Sequence, residues 1–153
     1  MTPVKLTMSM PEQFAELPPE QDPARRGELA RAGVVRRGTC FARSAADPES
    51  LATAGFAVLV QEAGASGDGA LDSLAEALAA QCDTRRITVE EFPAGEALLV
   101  EEPIERGRQA QVIFAFPDGQ RIVLLGVTGR DDADWPDFRR LLKNVASSVS
   151  FGS

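Results

Sequence analysis

The sequence contains no histidine and no tyrosine, and Lys5 and Lys143 are its only lysines. Without histidine there is no Ser-His-Asp or Cys-His nucleophile pair, no imidazole-ligated metal and none of the usual proton shuttles of neutral pH. A serine–lysine dyad would need Lys5 or Lys143, and Lys143 falls on the polar side of a helical pattern, where a solvated role is the plainer reading. Without tyrosine, the stacking platforms common in single-stranded nucleic-acid binders lose a main component. The two cysteines, Cys40 and Cys82, lie far apart with no CxxC spacing, which argues against a zinc site or a disulfide framework and leaves them as small buried hydrophobes. No apolar run has the length of a transmembrane helix, and Met1–Phe14 lacks the apolar core of a signal peptide, so the expected location is the cytoplasm.

Positive charge is also in short supply: the net charge is −7 and the isoelectric point about 4.7. An acidic chain does not supply the field that attracts nucleic acid or anionic membrane, so neither is an expected partner. Hydrophobic residues at 44% and charged residues at 25% are ordinary for a globular protein. A chain of 153 residues fits a single domain over 1–153, burying roughly two-thirds of its unfolded surface without disulfides or metals. The cations are almost all arginine and alanine and glycine are abundant, a composition associated with GC-rich bacterial genomes.

Two apolar runs, Gln109–Phe116 and Arg121–Thr128, flank Pro117-Asp118-Gly119-Gln120. Asp-Gly between β-rich runs is a strong hairpin signal, because glycine accepts the positive φ of a tight turn. Val112, Ile113, Phe114, Ala115 and Phe116 do not alternate with polar residues, nor do Ile122 to Leu125. The hairpin is therefore expected in the middle of a sheet covered on both faces.

Val4–Met10 alternates as a half-buried strand that stops at Pro11. Pro23–Ala32 reads as a helix with Asp22 as N-cap and Pro23 at its first position. It ends either at Gly33, leaving Val34–Arg43 as a strand, or at Gly38. Ser44–Ala54 reads as a loop, Gly55–Ala63 as a strand and Gly64–Gly69 as a connection. In Ala70–Cys82, Leu71, Leu74, Ala75, Leu78, Ala79 and Cys82 recur at helical spacing. Ile87–Phe92 and Glu96–Glu102 form a second hairpin, with Pro103–Arg108 turning the chain. Asp134 is placed to cap a last helix over Trp135–Val149, whose stripe is Trp135, Phe138, Leu142, Val145 and Val149, and Phe151 is expected to pin the tail. The expected class is α+β, an antiparallel β-sheet of six to seven strands packed with two to three α-helices.

Three segments, Leu6-Thr7-Met8-Ser9-Met10-Pro11 with Phe14, Glu91-Phe92-Pro93-Ala94-Gly95-Glu96-Ala97, and the closing helix running into Ser148-Val149-Ser150-Phe151, together give the chain a layout that resembles the PsbP-like family, also called the Mog-type fold. The resemblance implies an α/β/α sandwich that acts by binding proteins and carries no catalysis. No binding motif of the family maps onto this chain residue by residue.

Several clusters could carry chemistry. Gly64–Gly69 precedes a helix start, where amides can hold phosphate, yet it has neither a Gly-Lys-Ser/Thr ending nor GxGxxG spacing, and Asp68 and Asp72 would repel an anion; Asp68 as a cap is plainer. Asp131, Asp132, Asp134 and Asp137 offer oxygens to a hard cation, but counted from Asp132 the fifth to sixth positions of an EF-hand are Pro136 and Asp137 and the twelfth is Lys143. Glu90, Glu91, Glu101 and Glu102 lie on paired strands, and adjacent ones point to opposite faces, so an acidic edge that resists pairing is the plainer reading over a glycosidase-like pair. Arg25, Arg26, Arg31, Arg36, Arg37 and Arg43 form the one basic concentration, suited to bidentate capture of carboxylates on a protein partner.

The expected function is thus a non-enzymatic, cofactor-free cytoplasmic module that binds another protein; an immunity protein or secretion-system accessory fits this size and charge. The alternative is a small-ligand carrier with its pocket between the sheet and the Ala70–Cys82 helix.

Overall fold

The computed structural model describes residues 5–18, 20–43, 49, 51–62, 70–81, 84–117, 121–130 and 134–152. The Gly64–Gly69 connection, Cys82, the Asp118-Gly119-Gln120 turn, Asp131 and Asp132 lie outside the described residues, as does the side chain of Arg43. In chain order the elements are β1 (Lys5–Thr7), β2 (Phe14–Glu16), α1 (Pro23–Ala32), β3 (Val34–Arg43), β4 (Leu51–Glu62), α2 (Ala70–Gln81), β5 (Arg86–Phe92), β6 (Gly95–Ile104), β7 (Gly107–Ala115), β8 (Arg121–Gly129), α3 (Trp135–Ser147) and β9 (Ser150–Gly152).

Seven strands form one antiparallel sheet in the order β2-β3-β4-β8-β7-β6-β5. The β7–β8 hairpin is interior, as its unbroken apolar runs require. Neighbouring residues along its strands feed two different layers. On one face Val112, Phe114, Val123, Leu125 and Val127 meet Trp135, Phe138, Leu142 and Val145 of α3. On the other, Ile113, Ile122 and Leu124, with Leu98 and Val100 of β6, meet Leu74, Ala75 and Leu78 of α2. Phe114 is 1% exposed and Phe116 3%, so the doubly apolar ribbon is shielded from both sides.

The helix boundaries follow local chemistry. Asp22 accepts from the Ala24 N–H at 3.1 Å, and Pro23 occupies the first position, where no N–H is needed. Gly33 ends α1 at φ +83, and a Cβ there would lie 2.2 Å from the Val60 carbonyl oxygen, so the first of the two stops is the one used. At α3, Asp134 occupies the N-cap position, but its side chain makes no capping bond. Its carbonyl instead accepts from the N–H groups of Asp137 and Phe138.

Several strand boundaries differ from the sequence reading. Of the described part of Val4–Met10, only Lys5–Thr7 pairs, and it does so outside the main sheet, with β9 (Leu6 opposite Phe151). Phe151 nonetheless pins the tail: its ring lies 4.9 Å from that of Phe116 and 6.3 Å from that of Phe114. β2 and β9, three residues each, carry no local signal. β4 begins at Leu51 within the expected loop, because β3 runs on to Arg43 and supplies partners for Leu51 to Thr53. Pro103, expected in a turn, is paired within β6 opposite Arg108. β5 reaches only as far as Glu101 on the other side of β6, so the N–H that proline lacks falls beyond that ladder.

Candidate functional site

All of the arginine concentration except Arg43, which ends β3 at its far end, maps to one corner of the sheet, where β2, β3 and α1 meet. Arg25, Arg26 and Arg31 lie on α1; Arg36, Arg37 and Arg43 lie on β3. Arg36 clasps Glu16 with two bonds, Nε to Oε1 at 3.0 Å and Nη2 to Oε2 at 3.2 Å, and its guanidinium lies over the Phe14 ring. The hydrogen bond from Arg36 holds the Glu16 carboxyl below its ordinary pKa. Arg37 pairs with Glu20 at 3.4 Å, Arg25 reaches Glu28 at 4.0 Å, and Arg26 donates to the carbonyls of Glu20 and Gln21. Arg31 has no ion pair among the described residues. Three of these guanidiniums, those of Arg25, Arg36 and Arg37, are therefore acid-bridged.

Between these charges lies apolar surface. Leu17 is 44% exposed and Val35 56%, and both line an open groove of about 910 Å³ with Pro18, Leu29, Arg36 and Arg37. Val35 projects there because β3 shifts register between Val34 and Arg36, a bulge that breaks alternation. The bulge leaves no mark in the sequence, so the exposure of Val35 could not be read there. α1 covers little, since it has no buried residue.

A second groove, of about 760 Å³, separates the start of α3 from the ends of β5, β6 and β7, with Arg86, Arg108, Arg139, Arg140 and Trp135 on its walls. Of the four glutamates of the second hairpin, Glu101 and Glu102 line it. Glu101 accepts from Arg139 and Glu90 from Lys143 at 3.1 Å, both on the α3 face. Glu102 leaves by the opposite face to Arg85 at 3.1 Å, and Arg85 also donates to the Leu78 carbonyl at the end of α2. Lys143 is thus half-buried and ion-paired, a correction to its solvated reading: its long side chain reaches Glu90 on β5.

Two of the described nucleophiles, Cys40 and Ser148, are in structural roles. Cys40 is fully buried, and burial pushes its thiol up to about 11, so it stays protonated and inert at neutral pH. The hydroxyl of Ser148 donates to the Val145 carbonyl and accepts from the Ser9 N–H, tying the segment after β1 to the end of α3. Among the described residues no three His, Cys, Asp or Glu side chains converge as a metal site. No described helix is long and apolar enough to cross a membrane. Between α2 and the sheet, where a carrier's pocket was expected, Leu74, Ala75 and Leu78 pack directly on Leu98, Val100, Ile113 and Ile122.

No family model and no curated protein sequence matches the chain. Among solved structures it is similar to LpqN, a protein involved in cell envelope biogenesis of Mycobacterium tuberculosis, with a TM-score of 0.57 and 11% sequence identity over 99% of this chain and 85% of that one. At that identity the likeness is one of fold: the chain shares, nearly from end to end, the α+β architecture of a bacterial protein, while its likeness to the PsbP-like family remains a reading of the sequence.

Proposed function

We propose that this chain is a non-catalytic, PsbP-like accessory module of a bacterial cell that works by binding another protein, and that the partner docks on the corner formed by β2, β3 and α1. The observation that carries this reading is the pair of exposed aliphatic side chains, Leu17 and Val35, set in an open groove and framed by Arg26, Arg36 and Arg37. Apolar anchors ringed by arginine are the usual make-up of the energetic centre of a protein interface. The arginines are oriented in advance by Glu16 and Glu20, so an acidic partner could exchange one carboxylate for another without reordering long side chains. The inert state of Cys40 and the dispersal of the glutamates favour a binding role over an enzymatic one. The part LpqN plays in cell envelope biogenesis is compatible with an accessory role, and the proposed location is the cytoplasm, on the strength of a sequence without long apolar runs.

The test is capture of partners from the native host on the immobilised chain, compared with Val35→Glu and with the Arg36→Glu/Arg37→Glu double variant. Val35 is 56% exposed, so a charge there is expected to leave the fold intact and to weaken retention of a specific partner by at least about tenfold. Equal recovery by wild type and both variants would remove this corner from consideration.

A further inference from the structure

The two edges of the sheet are built differently. On the β2 side the edge strand has three residues and runs straight into Pro18, so it offers little to a further strand. On the other side β5 has seven residues, no proline and an unbroken register with β6, and nothing among the described residues pairs with its outer edge. Its side chains include Val89, 60% exposed, the most exposed of the large hydrophobic residues described. Acidic residues usually guard such an edge, and Glu90 and Glu91 do so against a strand of arbitrary sequence.

We propose that β5 pairs antiparallel with β5 of a second copy of this chain, in the one register that turns those guarding charges into complements. The register sets Thr88 opposite Thr88, Ile87 opposite Val89 and Arg86 opposite Glu90, twice over by symmetry. Two-fold pairing at a sheet edge keeps the same face up in both copies, and the opposed residues obey this. Arg86 and Glu90 both lie on the α3 face, Arg86 in the groove beside Trp135 and Glu90 against Lys143. Ile87 and Val89 both lie on the α2 face, where Ile87 already packs on the rim of the α2 layer. Arg86 is exposed and has no ion pair within its own chain among the described residues, so it is available to the other copy. Registers shifted toward the C-terminal end of β5 fail: the first puts Glu90 opposite Thr88 and Glu91 opposite Ile87, and a further shift sets Glu90 against Glu90. A shift the other way, which sets Arg86 opposite Thr88, loses the Arg86–Glu90 pairs. Because opposed residues share parity, whichever alternate amides point outward meet outward-pointing partners. Opposite charges and aliphatic pairs across such a ladder favour it, and like charges disfavour it. The product is one continuous sheet of fourteen strands, about twice the described main sheet, and this surface is separate from the proposed partner corner at the opposite edge.

Sedimentation equilibrium of the full chain tests this. Wild type is expected to associate reversibly to a dimer. Arg86→Glu alone sets acid against acid twice and Glu90→Arg alone sets base against base twice, so each should weaken the dimer by at least about tenfold. An equimolar mixture of the two variants makes both pairs complementary again and should restore a dimer containing one of each. Val89→Asp, at an exposed position that leaves the monomer folded by circular dichroism, should also dissociate it. A wild type that remains monomeric throughout, variants that dimerise like wild type, or a mixture that stays monomeric would each overturn the proposal.

Discussion

Cys40 shows how a single position is set by its surroundings. It lies on the inner face of β3, with Ala54 opposite it, and has no exposed surface. Its thiol is pushed up to about 11 by burial alone. In a Cys82→Ser background, an aromatic disulfide reagent at neutral pH is therefore expected to leave the native protein unmodified and to label Cys40 only as fast as the chain unfolds. Rapid stoichiometric labelling under native conditions would contradict the placement. The cysteine's burial was legible in the sequence, where the absence of CxxC spacing left it as a small buried hydrophobe. The exposure of Val35 was not, because a bulge depends on what the facing strand does, and β4 supplies that constraint from beyond the next loop. The pairing of Arg36 with Glu16 was likewise hidden: both residues were visible, but only the β2–β3 register brings them together.

Among the elements, α1 and α3 differ most in what anchors them. α3 buries Trp135, Phe138, Leu142, Val145 and Ala146, whereas α1 buries nothing and is held by its caps and by contacts at its ends. Leu142→Ala, at a position with 0% exposure, is expected to cost about 2–5 kcal/mol, while Arg25→Ala on α1 should stay within about 0.5 kcal/mol. Urea unfolding of the two variants separates these cases. The elements legible in the sequence were those with a local cause: the spacing of apolar residues in α2 and α3, the caps of α1, and the two-sided apolar runs of β7 and β8. β2 and β9 have no such cause. Each is three residues long and becomes a strand only because a partner distant in sequence is there to pair with it.

At the scale of the whole molecule, the absence of histidine governs the response to pH. No side chain of ordinary pKa titrates between about pH 6 and 8, and Cys40 titrates well above that range. The melting temperature is therefore expected to be nearly flat across this interval and to fall in acid. Glu16 shows the sign: its carboxyl is held below the ordinary value by Arg36, so the clasp stabilises the fold above the unfolded pKa and is lost as pH falls through the folded one. Because Glu16 is exposed to solvent, this one pair accounts for only a small part of the loss. A thermal scan series showing a step near pH 6.5 would point to a titrating group that this chain does not have.

The pairing of β4 with β8, and of β1 with β9, has a further consequence for synthesis on the ribosome. β4 is made well before the strand that will flank it, so one border of the β3–β4 hairpin must wait, unsatisfied, while α2 and the next three strands emerge. The first strand translated waits longest of all, for the last. A nascent chain halted before Arg121 would present its aliphatic hairpin to chaperones, and only release of the C-terminal residues lets the N-terminal ribbon close.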